Sequence, residues 1–249
     1  MNSLAIVLTN DIEEASPVAL TVALHRQGFE AVSKILEDGS VAFDLGSGAE
    51  MVAVHVPSPH PDAINMPQGP TTPPADEIAS AGAHVLVAAL NLDHLVGDDP
   101  ENIDLAMLQI TCAVVGTTDA VAAMLGHGVY FHQAQTFVGT TVLFGELERV
   151  PVPLAVNVTI GQNAAGRATL LTHGLARYRR MDLLVACTSD IDESTDFVWQ
   201  MVDWLMENKL HRLVPGTLVP SNKGSEQIAL GVPSPLDDGA TVIYLDLAR

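Results

Sequence analysis

Leu4-Ala5-Ile6-Val7-Leu8-Thr9-Asn10-Asp11-Ile12-Glu13-Glu14-Ala15-Ser16 has a second version far along the chain: Leu183-Leu184-Val185-Ala186-Cys187-Thr188-Ser189-Asp190-Ile191-Asp192-Glu193-Ser194-Thr195. Five of the thirteen positions are identical, and most of the others are conservative pairs. Each version is an apolar run ending in a polar, acid-rich turn, the pattern of a buried strand that leads into a helix N-terminus. Working outward, Gly48 to Asp62 matches Gly224 to Asp238 with eight identities in fifteen, centred on Val56-Pro57-Ser58-Pro59 and Val232-Pro233-Ser234-Pro235. A duplicated unit of strand, helix and strand meander accounts for both matches. It divides the chain into a first copy over 1–62, a proline-rich loop over 63–80, a central α/β segment over 81–180 and a second copy over 183–249. All of these are expected to pack as one compact domain.

The start of the first helix has two readings. Asp11 with Glu14 resembles a capping box, and Ser16-Pro17 resembles an N-cap followed by proline at the first helical position. Strands are expected near 30–36, 40–45 and 50–56, separated by Asp38-Gly39 and Gly46-Ser47-Gly48. Residues 57–76 hold seven of the fifteen prolines and read as an extended loop. His84 to Leu92 reads as a central strand, and 101–116, apolar on most sides, as a buried helix opened by Asp98-Asp99-Pro100-Glu101. A further helical piece is expected over 119–125, a strand at 128–131 and a helix over 133–147. Strands follow near 154–161, 167–173 and 175–180, then a helix over 192–207 with an apolar stripe. Strands near 213–218, 226–232 and 240–247 close the chain. Hairpins with few regular crossovers predict an α+β fold with mixed and antiparallel sheet around a buried central helix.

Composition narrows the function. The 249 residues are 48% hydrophobic but only 4% aromatic, so the core is built from many small contacts. Thirty acids against 11 bases give a net charge of −19, which repels nucleic-acid phosphates and anionic membranes; neither is expected as a partner. Cys112 and Cys187 both sit in apolar runs, which predicts free thiols in a reducing cytoplasm. No basic residue precedes Arg26, unlike a signal peptide, and no apolar run reaches the ~18 residues a membrane span requires.

The duplicated turns offer the best ligand candidates: Asp11, Glu14, Asp190 and Glu193, whose carboxylates could hold a hard cation if the two turns faced one cleft. Acids at a helix start are equally explained by capping and the helix dipole, and their presence in both copies favours that structural use. Cys187 precedes a helix start, where a thiol can become nucleophilic, but Leu8 occupies its place in the first copy. His55 and His60 flank the first Pro-Ser-Pro segment without a regular zinc spacing. Arg177-Tyr178-Arg179-Arg180 is the one basic cluster; on a strand, Arg177 and Arg179 would share a face. No phosphate-binding glycine fingerprint, His-Glu-x-x-His, nucleophile elbow or Cys-x-x-Cys is present, and no cofactor is expected.

Several stretches carry a family likeness. Thr118-Asp119-Ala120-Val121 leading to Gly128-Val129-Tyr130, Thr172-His173-Gly174-Leu175, and the ending Gln227-Ile228-Ala229 through Val232-Pro233-Ser234-Pro235 to Gly239-Ala240-Thr241-Val242-Ile243-Tyr244-Leu245 resemble the bacterial domain-of-unknown-function family 4261. The likeness covers 80–249 well and the N-terminal part loosely; His132-Gln133 depart from it. It implies no activity and no catalytic residues. The expectation is a non-enzymatic module that docks a protein partner, immunity-like or regulatory, as a monomer or homodimer. The alternative is a small-molecule- or metal-dependent enzyme with a cleft at the duplicated turns.

Overall fold

A computed structural model describes residues 3–11, 13, 15–37, 41–65, 71–127, 137–140, 143, 150–208, 213–220, 226–235 and 239–247. They divide into two compact units, Met1–Leu154 and Ala155–Arg249, a division that falls inside the central segment 81–180 of the sequence reading. The expected strand at 128–131 lies outside the described residues, as do Ile12 and Glu14. Of the expected helix over 133–147 only 137–140 and 143 are described, and Val138–Gly139 are strand instead, because they pair with Ala123 and Ala122.

In the first unit the order is β1 (Ser3–Thr9), α1 (Pro17–Arg26), β2 (Val32–Ile35), β3 (Val41–Gly46), β4 (Ala49–Val56), α2 (Ala75–Ser80), β5 (Ala83–Leu90), α3 (Asp93–Val96), α4 (Pro100–Val115), β6 (Ala120–His127) and β7 (Val138–Gly139). The strands form one sheet in the order β2-β3-β4-β5-β1-β6-β7, every neighbouring pair antiparallel. Side chains alternate between faces along each strand. One face, with Phe43, Ala53 and Val85, meets Leu20 of α1 and Val114 of α4. Eleven of the sixteen residues of α4 are buried, which makes it the central helix that its all-round apolar sequence predicts. On the other face Ile6, Leu8, Ala122 and Met124 pack against Ala63, Ile78, Ala81 and Phe137. Cover on both faces explains why β1 is apolar without alternation.

Two further local readings differ from the structure, and for the start of the first helix one of the two alternatives is selected. The proline-rich loop 63–80 contains a 3-10 turn at Ala63–Asn65 and the helix α2, whose first turn carries Asp76 and Glu77. Those acids favour a helix start through the helix dipole. Residues 119–125 are mostly strand β6, because Ala123 and Leu125 find partners in Val7 and Ala5 of β1. The first helix begins at Pro17 with Ser16 as its N-cap, its Oγ accepting from Ala19 N.

The short helix α5 (Val152–Ala155) crosses into the second unit, which contains β8 (Asn157–Gln162), β9 (Ala168–His173), β10 (Leu183–Ala186), α6 (Ile191–Glu207), β11 (Leu218–Pro220), β12 (Glu226–Ile228), β13 (Leu230–Pro233) and β14 (Thr241–Asp246). Its main sheet runs β13-β14-β10-β9-β8; β10 and β14 are parallel and the other pairs antiparallel, while β11 and β12 form a separate hairpin. The α+β class with mixed and antiparallel sheets is thus the observed architecture. Residues 175–178 form a 3-10 turn in place of the expected strand, and Arg179 beyond it has φ 59°, so Arg177 and Arg179 share no strand face. No helix among the described residues is long and apolar enough to cross a membrane.

Candidate functional site

The two acid-rich turns begin alike. In the first unit Asp11 N donates to Thr9 Oγ1 at 3.1 Å, and in the second Asp190 N donates to Thr188 Oγ1 at 3.1 Å. The shared Thr-x-Asp is therefore a side-chain turn that stops the strand. From there the two diverge. Asp11 Oδ2 accepts from Asp119 N at 2.6 Å, Asn10 Nδ2 donates to Asp119 Oδ2 at 3.1 Å, and Asn10 N and Thr9 Oγ1 donate to Asp119 O at 2.9 and 3.1 Å. His55 Nε2 donates to Asp11 O at 3.1 Å. Asp11 is thus committed to clasping the turn between α4 and β6. Beside this clasp lies a cavity of about 30 Å³ lined in part by Ala15, His55, Thr117 and Thr118, room for one or two waters.

Asp190 instead caps α6, its Oδ1 accepting from Glu193 N at 3.1 Å. Buried Ser194 completes the turn, its Oγ accepting from Thr188 N at 3.1 Å and donating to Asp190 O at 2.7 Å. Each turn belongs to its own unit, and Glu14 lies outside the described residues. Asp190→Ala is expected to lower the stability of the second unit by ~0.5–2 kcal/mol through loss of the cap. Chemical denaturation measures this, and a loss within that range identifies Asp190 as a cap.

Cys187 is fully buried, and burial pushes its thiol up despite the opposing influences of Ser194 and Arg167. Burial alone pushes the Cys112 thiol up to about 11. Neither is a poised nucleophile. Arg167 pairs with Asp246 at 2.8 Å, and Arg180 donates from Nη1 to Tyr178 O at 2.8 Å. Among the described residues no group of three or more His, Cys, Asp or Glu side chains is arranged to hold a metal ion.

The histidine that spacing left unassigned has a specific partner. His60 meets His84 edge-on, ring centroids 5.0 Å apart, and Phe137 at 6.3 Å. His84 Nδ1 donates to Ser58 O at 2.8 Å, while His60 Nδ1 accepts from Asp62 N at 3.3 Å. Burial first and His84 second lower the His60 pKa from its ordinary 6.5, with Asp62 opposing. A histidine lowered in the fold contributes stability that is present above its unfolded pKa and lost as pH falls through the folded value. Protonation also takes the lone pair that receives the Asp62 amide. The protection of the Asp62 amide, corrected for the pH dependence of intrinsic exchange, is therefore expected to fall below pH 6.5 by more than that of neighbouring amides. His60→Gln should remove this dependence.

Part of the sheet face opposite α4 carries exposed apolar side chains. Register places Leu4, Ala88 and Val52 in one row and Ile6, Leu86 and Val54 in the next, all on the face opposite α4. Ile6 is covered, but Leu86 is 39% and Val54 47% exposed, and Leu4, Ala88 and Val52 are half-buried. One row further on, Asp44 of β3 stands directly opposite Glu50 of β4, both exposed. The Asp44 Oδ1 also accepts from Gly46 N at 2.8 Å. Nothing in the hydrophobic pattern of the strands marked this surface as open. The alternation is visible in the sequence, but the reach of the covering helix is not.

No family model matches the chain, and neither a curated protein nor a solved structure is significantly similar to it.

Proposed function

We propose that the chain is a non-enzymatic, cytoplasmic protein-interaction module of the immunity-like or regulatory kind. The observation that carries this reading is the open half of the seven-stranded sheet, where Val54 and Leu86 stand exposed in register beside half-buried Val52 and Ala88. Apolar side chains grouped on a sheet face gain most from a protein surface laid over them. Two of the candidate acids of the duplicated turns are engaged internally: Asp11 by the Asp119 amide and Asp190 by its helix. Native mass spectrometry of the gently purified protein tests the reading. A protein partner carried above the 26.3 kDa of the chain, released as salt rises, is expected. A bare chain at every salt concentration would count against it.

The alternative, an enzyme using Asp11, Glu14, Asp190 and Glu193, has one observation in its favour: the Asp11 and Asp119 carboxyl groups share a single hydrogen-bonded cluster. It requires that Asp190→Asn abolish binding of a small molecule or metal ion while the fold persists. Kinship with family 4261 is part of the proposal too, resting on the segments named above, and it brings no activity with it.

A further inference from the structure

The open sheet face has a charge asymmetry that describes its partner. Asp44 and Glu50 face each other across β3 and β4, an arrangement of like charges that weakens a sheet. Among the described residues neither carboxylate has an ion pair. Lys34 of β2 is on the same face, opposite Ala42, one row away from the pair. Among the described residues the face therefore presents an apolar strip, Val52, Val54, Leu86 and Ala88, bordered by two carboxylates and a single lysine.

We infer that this face receives a basic amphipathic segment of another protein, its apolar side laid on Val54 and Leu86 and its lysines or arginines set against Asp44 and Glu50. This deepens the interaction-module reading and rests on it. A second copy of the chain is the poorer occupant, because it would bring another net charge of −19 and a second Asp44–Glu50 pair to the contact. A basic segment supplies cations for the two carboxylates, and an amphipathic one also covers the strip; charge complementarity of this kind speeds encounter and fixes orientation. A helix suits the vacancy, since α2 already covers the neighbouring part of the same face over Ile6, Leu8 and Met124.

The test uses a fluorescein-labelled leucine–lysine peptide of about 18 residues that folds as an amphipathic helix, with a lysine–serine peptide of equal charge as its control. Fluorescence anisotropy with the full chain should show binding of the leucine–lysine peptide and much weaker binding of the control. Asp44→Asn with Glu50→Gln, and separately Val54→Ser with Leu86→Ser, should each weaken binding about tenfold. All four side chains are exposed, so these variants should fold, and the amide oxygen that Asp44→Asn retains can still accept from Gly46 N. Two further variants separate the ways of failing. Asp192→Asn with Asp196→Asn removes two exposed acids from α6, and Leu218→Ser with Ile228→Ser removes an exposed apolar pair from the hairpin of the second unit. Both should leave binding within about twofold. An equal loss from the α6 variant would overturn the inference by showing attraction to bulk charge. A loss confined to the hairpin variant would overturn it while leaving the interaction-module reading intact. Absence of peptide binding, or equal binding of the control, would also overturn it.

Discussion

Gly174→Ala is expected to destabilise the second unit by about 3–5 kcal/mol, the sum of a dihedral cost and a steric one. Gly174 has φ +118°, where an L side chain is strained, and a Cβ placed there would run into the carbonyl oxygen of Ala155 with Val156 Cα only 3.3 Å away. Both neighbours are backbone, so no side chain can swing aside to make room. Gly166 supplies the control. Its φ is +75°, but a Cβ there meets nothing within 4 Å. Gly166→Ala should therefore cost only the dihedral part, about 1 kcal/mol. Chemical denaturation of both variants separates the contributions. A Gly174→Ala loss no larger than that of Gly166→Ala would show that the close approach to Ala155 is not a feature of the folded protein.

Asp182→Ala should rank beside it, at about 3 kcal/mol, because it leaves two buried donors, the Thr172 hydroxyl and the Leu175 amide, without their acceptor. Asp182 Oδ1 accepts from Thr172 Oγ1 and from Leu175 N, each at 3.1 Å, and the nearby amides of Gly174 and Ala176 also favour its charged form. Thr172 Oγ1 in turn accepts from Leu183 N at 2.7 Å, so the carboxylate ties the 3-10 turn to the start of β10. Burial is the largest influence on this group and raises its pKa above 3.8, although the donors all favour the charged form. A carboxyl raised in the fold contributes stability that is complete below its unfolded pKa and lost as pH rises through the folded value. Asp182→Asn keeps an acceptor and removes the ionisation, so it should cost less than half as much as the alanine. It should also abolish the fall in stability that Asp182 imposes as pH rises from about 3.8. Equal losses from both variants would show that the charge, not the acceptor, matters.

What could be read from the sequence depended on whether the deciding contact was local. The helix α4 was legible because Asp99, Pro100 and the all-round apolar pattern are neighbours in the chain; Asp99 Oδ1 accepts from Glu101 N at 3.0 Å as an N-cap does. Likewise Asp190 caps α6 with atoms three residues apart. The start of α1 was ambiguous because Asp11 and Ser16 are both competent caps. Asp119, 108 residues away, decides the matter by engaging the Asp11 carboxylate and leaving Ser16 to cap. The segment 119–125 reads as helix or strand on its own, and pairing with β1 selects strand. The site followed the same division. The repeated Thr-x-Asp turn was visible as a motif, but the open sheet face depends on which rows α2 reaches. The Asp44–Glu50 pair depends on hairpin register, set by the bulge between Asp44 and Gly46.

The most direct test of the central claim is hydroxyl-radical footprinting of Val52, Val54 and Leu86, first on the purified chain and then in extract from its own cells at low and high salt. The account predicts ready oxidation of all three in the purified chain, protection in the low-salt extract and renewed oxidation when salt is raised. Equal oxidation in the purified chain and in both extracts would show that nothing docks on this face, and the interaction reading built on it would fall.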